Sequence, residues 1–326
     1  MSSSSRFSPR FTDLDYGITA IDTEYIRPLM DASHLLVHGG RAAFIDTGTA
    51  HCVPSLLEVL DLKGIDRADV DYVFLTHVHL DHAGGAGELM QHLPNAAAVI
   101  HPRGAHHMAE PDKLIAGTIA VYGEKMYRAL YKEIVPIDAN RIIVVEDGDE
   151  LELSGRRFDF IHTRGHANHH YCVIDPEANG IFSGDSFGLS YRELDTPRGE
   201  FILPTTTPVH FDADAAHEAI DRLLGFKPQA IYLTHYSRVT ELERLGRDMH
   251  ESLDAFVALA RTYAQSDERT ENMQAAMRES LWRRLDEHGF PADEDRRQAI
   301  LGKDIELNVM GLEVWLDRQA DSSGRS

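Results

Sequence analysis

The segment His77-Val78-His79-Leu80-Asp81-His82 puts four metal-ligating side chains into six residues. Three imidazoles and a carboxylate suit a divalent transition metal better than a hard ion held by oxygen alone. While the chain stays extended, His77 and His79 share a face. A turn after them lets Asp81 and His82 address a second point nearby. Gly84 and Gly85 allow the next helix to start close to this cluster. The chain holds 19 histidines in 326 residues. Single histidines are usually solvated, but four ligand-type residues in this order after an apolar run read as a site.

Positioning such a cluster takes a strand that ends at it. Tyr72-Val73-Phe74-Leu75 is that strand, a short apolar run rich in aromatic and β-branched residues. Similar runs occur at Ala42–Ile45, ending in Asp46-Thr47-Gly48, and at Ala97–Ile100. Helical spacing over Pro54–Leu62 and Glu88–Leu93 alternates with them. Leu114, Ile115, Thr118, Ile119, Tyr122, Met126 and Leu130 mark a helical insertion over Asp112–Lys132. Strand patterns return at Ile142–Val145, Glu150–Leu153, Phe158–His162, Tyr171–Ile174 and Ile181-Phe182. Asp147-Gly148 and Ser154-Gly155 are turns between them. A loop over Gly188–Pro208, a helix over Asp214–Leu224 and a strand over Ala230–Leu233 complete this α/β part. Three amphipathic stripes follow, on Leu242–Val257, Met273–Leu285 and Ile305–Leu316. They read as a helical cap.

With 53 acidic and 32 basic residues the formal net charge is −21. That charge repels phosphate backbones and anionic bilayers, so neither nucleic acid nor membrane is an expected partner. No apolar run reaches the ~18 residues of a membrane span. Met1–Arg10 is serine-rich without an apolar stretch and does not read as a signal peptide. Two cysteines, Cys52 and Cys172, are too few for a disulfide framework, and a cytoplasmic location is expected.

His77–His82 resembles the signature of the metallo-β-lactamase-fold hydrolases. Four further segments resemble that family's motifs in the right order. Asp46-Thr47-Gly48 is similar to the early D-T-G, and Arg164-Gly165-His166-Ala167-Asn168-His169-His170 to G-H-T-x-x-H. Phe182-Ser183-Gly184-Asp185-Ser186 is similar to the bridging-aspartate segment, and Tyr232-Leu233-Thr234-His235 to the last histidine segment. The resemblance spans residues 19–236. It implies an α/β fold, a four-layer αββα sandwich, with a C-terminal all-helical extension. The expected organisation is a flexible N-terminus over 1–12, a metallo-β-lactamase-fold domain over 13–238, the helical cap over 239–320 and a flexible C-terminus over 321–326.

The same resemblance implies that His77, His79 and His166 hold one metal and Asp81, His82 and His235 a second, with Asp185 bridging. Asp46 and His170 would orient these ligands from behind. Asp185 stands where some lactamases carry a cysteine ligand. His79 stands where flavodiiron oxygen reductases carry glutamate, which favours hydrolysis over redox chemistry. Tyr236 stands where the family usually has glycine. The glutathione-binding basic patch of glyoxalase II-like enzymes has no match here. The C-terminal helices resemble those of a thioesterase-like quorum-sensing effector branch.

Two divalent ions ~3.5–4 Å apart lower the pKa of a shared water towards ~7, and the resulting hydroxide attacks a carbonyl. The expected substrate is a small-molecule ester, thioester or lactone. Asp81 would orient the hydroxide, and Tyr191 or Tyr236 would donate to the oxyanion. The ligand set suits zinc first, and iron or manganese as well. A homodimer through the cap is a further expectation. Two other readings stay open: a metal-bearing regulatory or partner-binding protein with weak hydrolase activity, and a mononuclear iron sulfur-dioxygenase using a subset of the ligands.

Overall fold

The computed structural model describes residues 9–323. Seven strands form the first sheet: β1 (Phe11–Asp13), β2 (Ile18–Asp22), β3 (Ala32–His38), β4 (Arg41–Ile45), β5 (Val70–Leu75), β6 (Ala97–Ile100) and β7 (Ile142–Val144). Six form the second: β8 (Glu150–Leu153), β9 (Arg156–His162), β10 (Tyr171–Asp175), β11 (Gly180–Gly184), β12 (Ala230–Leu233) and β13 (Ser237–Val239). The helices among the described residues are α1 (Val53–Lys63), α2 (Leu80–Ala83), α3 (Ala86–His92), α4 (Pro102–Ala109), α5 (Asp112–Tyr122), α6 (Glu124–Tyr131), α7 (Ala213–Gly225), α8 (Leu242–Tyr263), α9 (Arg269–His288) and α10 (Glu294–Ser323). The architecture is an αββα sandwich with a C-terminal all-helical region.

The first sheet runs in chain order from β1 to β7. Its early pairs are antiparallel, and β4 to β7 are parallel. Parallel neighbours need a crossover, and α1 supplies the one between β4 and β5. Proline opens α1 and left-handed Gly64 closes it. Alternation along β5 decides what each residue touches. Val73 and Leu75 join the core with Leu56, Leu60, Leu89 and Met90 of α1 and α3. Phe74 turns the other way and meets Phe158 and Phe160 of β9, each at 5.6 Å between ring centres. Tyr171 extends this cluster, and His34 meets Phe182 edge-on at 5.3 Å. Arg156 and Asp175, both fully buried, neutralise each other between β9 and β10.

The chain divides into two compact units. One runs to His162 and includes Tyr171–Phe182; the other comprises Thr163–His170 and the chain from Ser183 onward. In the second unit, α7 packs on α8, and α8, α9 and α10 pack on one another. The three stripes read from the sequence are buried there: Leu245, Met249 and Leu253 on α8, Met273, Met277 and Leu281 on α9, Ile305, Val309 and Leu312 on α10. These residues suggested a dimer face, but they are used within the helical region itself. Thr206 anchors α10: its N–H donates to Asn308 Oδ1 at 2.5 Å and its hydroxyl lies 2.9 Å from Asn308 O. Gly311 makes this approach possible, since a Cβ there would sit 1.5 Å from Thr206 O.

Most sequence-read elements lie within a residue or two of the observed ones. The insertion expected over Asp112–Lys132 is two helices, because Gly123 (φ +76°) breaks it between α5 and α6. Of the ends expected to be flexible, residues 1–8 and 324–326 lie outside the described residues. Phe11 and Thr12 instead pair in β1, and α10 runs on to Ser323. Among the described residues no helix is long and apolar enough to cross a membrane.

Two stability measurements probe this core. Phe74→Ala should cost about 3–5 kcal/mol in urea unfolding, since it empties the ring cluster around β9. His34 is fully buried, and that burial lowers its pKa from 6.5 to about 4 despite the pull of Asp46. The folded state therefore keeps His34 neutral while the unfolded chain takes up a proton. Stability should be level in this respect above pH 6.5 and fall between pH 6.5 and 4, by up to about 3 kcal/mol from this group. Unfolding curves at pH 7 and 4.5, on wild type and His34→Gln, measure the difference.

Candidate metal centre

Two parallel strand ends build the first half of the site. At the end of β4, Asp46 takes a positive φ of 53°, and its carboxylate turns into the interior. Its Oδ1 accepts the N–H of Thr76 at 2.9 Å, and its Oδ2 accepts the Thr76 hydroxyl at 2.8 Å. Oδ2 also lies 2.8 Å from His82 Nδ1, which must donate to it. This fixes the His82 tautomer and leaves Nε2 as the lone-pair nitrogen. Thr47 fastens the same loop, its N–H donating to His82 O at 2.7 Å.

The Thr76 hydroxyl gives its hydrogen to Asp46, so at 3.2 Å it accepts from His77 Nδ1. His77 Nε2 is then the outward nitrogen, 2.9 Å from His79 Nδ1. Asp81 Oδ2 lies 3.8 Å from His82 Nε2. The first unit thus presents two donor pairs, His77 with His79 and Asp81 with His82. Asp81 keeps about a fifth of its side chain exposed, while His77 and His82 are fully buried.

The second unit carries its own donor set. Gly165, at φ +125°, brings the His166 loop against α7; a Cβ there would lie 2.5 Å from Ala216 Cα. Gly165 O accepts the N–H of Asp212, the residue that caps α7 through Ala215. Asp185 follows β11 and aims its two oxygens at different histidines. Oδ2 lies 3.4 Å from His166 Nε2 and Oδ1 lies 3.6 Å from His235 Nε2. One carboxylate thus faces two imidazoles. His170 sets its position: the Asp185 N–H donates to His170 Nε2 at 3.2 Å. His170 Nδ1 must then carry the proton, facing Thr163 Oγ1 at 2.9 Å and Ser186 Oγ at 3.1 Å. His235 is tied down through its carbonyl, which accepts the Ser190 N–H at 2.6 Å.

Three groups each offer ligand atoms within 4.8 Å of one another: His77, His79 and His166; His77, His82 and Asp185; Asp81, His82 and His235. All seven residues named as ligands from the sequence take part. The donors are imidazole nitrogens and carboxylate oxygens with no thiolate, a set that fits zinc, iron or manganese. Cys52 and Cys172 are buried and form no disulfide, and Cys172 is not among the groups.

The tyrosines come out differently. Tyr191 is fully buried and donates its hydroxyl hydrogen to Asp304 of α10 at 3.0 Å. That commitment corrects the oxyanion-donor role expected of it. Tyr236 is buried, and its backbone N–H donates to Ser190 O at 3.4 Å. Sequence reasoning missed Tyr25. Its hydroxyl meets that of Tyr131 at 2.6 Å, and both residues are buried. Burial first, and then the negative charge of Asp81, raise the Tyr25 pKa; burial and Tyr25 raise that of Tyr131. Both phenols therefore stay protonated donors beside Asp81. No spacing rule links Tyr25 to Tyr131, so the sequence held no signal for the pair.

In the second unit His166 and Asp185 also line a narrow cavity. Its far wall is apolar, with Ala216 and Ile220 from α7 and Met249 and Leu253 from α8. Arg164 is the cation on its lining.

Residues 26–235 match the metallo-beta-lactamase superfamily. The chain belongs to that superfamily. Within it, the metallo-beta-lactamase fold-containing protein ST1585 of Sulfurisphaera tokodaii is 30% identical over 196 residues, covering 59% of this chain and 67% of that protein. The crystal structure of ST1585 from Sulfolobus tokodaii superposes with a TM-score of 0.63 at 24% identity, over 92% of this chain and 99% of that one. A metallo-beta-lactamase family protein from Thermus thermophilus, TTHA1429, gives a TM-score of 0.66 at 17% identity, over 93% and 94%. An atrochrysone carboxyl ACP thioesterase of Emericella nidulans is 24% identical over 155 residues, which is 47% of this chain and 39% of that enzyme. The match thus spans well under half of that thioesterase.

Asp46→Asn tests the support behind His82. The amide can no longer accept from both Thr76 and His82 Nδ1, so the imidazole loses its fixed tautomer. Metal affinity, measured by competition with a chromophoric chelator, should fall about 10–100-fold.

Proposed function

We propose that this protein is a dinuclear metal-dependent hydrolase acting on the carbonyl of a small-molecule ester or thioester, with lactones as a related class. The observation that carries the reading is the convergence of seven nitrogen and oxygen ligands into overlapping groups within 4.8 Å. We assign His77, His79 and His166 to one ion and Asp81, His82 and His235 to the other, with Asp185 shared. Zinc is our first choice. Residues 13–238 would form the hydrolase domain and 239–320 its cap. Buried cysteines outside any disulfide suit a reducing cytoplasm.

When bound, two divalent ions would supply an activated water and polarise the carbonyl oxygen. The chain's own residues do the rest. Asp46 and His170 hold His82 and Asp185 in place, so little reorganisation is needed at the moment of reaction. Asp81 is partly exposed at the ligand cluster, where a carboxylate oxygen can orient the attacking water. The Tyr25–Tyr131 pair uses one hydroxyl hydrogen internally and leaves the other for a substrate oxygen. The thioesterase relative from Emericella nidulans supports an acyl substrate.

Asp185→Ala should lose metal loading and reduce hydrolysis of activated esters by about 100-fold or more, since both ions share that carboxylate. Elemental analysis of the purified protein with a panel of esters, thioesters and lactones makes the test. A metal-replete wild type inactive on the whole panel overturns the reading.

A further inference from the structure

A second histidine cluster lies on α7 and α8, apart from the seven ligands. His217 and Asp221 stand one helical turn apart on α7, and His250 and Asp254 one turn apart on α8. The two ring planes lie within 1° of each other with centres 4.9 Å apart, so the rings meet edge to edge. Their Nδ1 atoms face each other at 2.6 Å. Each Nε2 points away to a carboxylate on the opposite helix: His250 to Asp221 at 3.1 Å and His217 to Asp254 at 3.4 Å.

The protons follow from these contacts. A carboxylate only accepts, so His250 Nε2 carries a hydrogen toward Asp221, and Asp254 at 3.4 Å offers His217 Nε2 the same kind of partner. His250 Nδ1 is then a lone pair, and with the His217 proton on Nε2 toward Asp254 its Nδ1 is a second one, so the two nitrogens at 2.6 Å are set to share a cation. A carboxylate behind each imidazole is the arrangement that orients histidines for a metal and strengthens them as donors. Both rings are about a quarter exposed, so an ion and its remaining waters have access. Around a tetrahedral ion with bonds of about 2.0–2.1 Å the nitrogens stand roughly 3.3 Å apart, so an opening of less than about 1 Å admits one.

We propose that His217 and His250 form a separate, exchangeable site for a divalent transition metal that clips α7 to α8. The inner faces of the same helices carry Ala216, Ile220, Met249 and Leu253, which line the cavity beside His166 and Asp185. An ion here stiffens that wall from outside. The site stands independently of the hydrolase reading.

The test titrates Zn²⁺ or Cu²⁺ alone into protein whose seven-ligand centre is already full, with bound metal counted by elemental analysis. Wild type should take up one further equivalent and gain thermal stability. His217→Ala and His250→Ala should take up none, while keeping their core metal content and far-UV spectrum. Asp221→Asn should bind the extra ion about 10-fold or more weakly. If wild type takes up no further equivalent, the shared cation is a proton and the proposal fails. Equal uptake by wild type and both alanine variants places the ion elsewhere and also overturns it.

Discussion

A carboxylate with no contact with water organises the ligand cluster of the first unit. Asp46 is fully buried, and an anion there is tolerable only if its oxygens are answered by donors. Thr76 and His82 answer them. Each of these bonds has a second effect. The Thr76 contact joins the ends of two parallel strands and turns the hydroxyl toward His77. The His82 contact decides which ring nitrogen faces outward. A left-handed backbone at Asp46 is the strain that lets one side chain reach both. The cost of burying one charge is thus offset by bonds that also aim two ligands.

The second unit solves the same problem by a different route. Asp185 is oriented through its backbone, with its N–H held by His170, so both carboxylate oxygens stay available to imidazoles. In one half a buried anion orients histidines; in the other a histidine orients an anion. The net charge of −21 therefore says little about the centre itself, where five imidazoles outnumber two acidic ligands.

How much of this could be read from the sequence depends on range. The His77–His82 segment was legible because its chemistry is local and sits directly after a strand whose alternation is plain. His166, Asp185 and His235 were legible only through resemblance, since nothing in their own spacing links them. The Tyr25–Tyr131 pair was not legible: 106 positions separate two ordinary tyrosines. Tyr191 misled because a side chain beside a motif gives no sign of its own partner, here Asp304 on a distant helix. The helical region was legible as helices from its stripes. What those stripes meet is a matter of tertiary packing, and they meet one another. His217 and His250 were invisible for the same reason, as each is a common surface residue until α7 lies along α8.

The separation of the ligands along the chain also sets the order of assembly. During synthesis His77, His79, Asp81 and His82 leave the ribosome first, and Asp46 is already present to orient them. His166 and Asp185 come later, and His235 last, at the end of β12. From His82 to His235, nearly half its length, the growing chain therefore carries an incomplete set of donors. The donor set is complete once β12 is laid down, before β13 and the three C-terminal helices α8 to α10 exist.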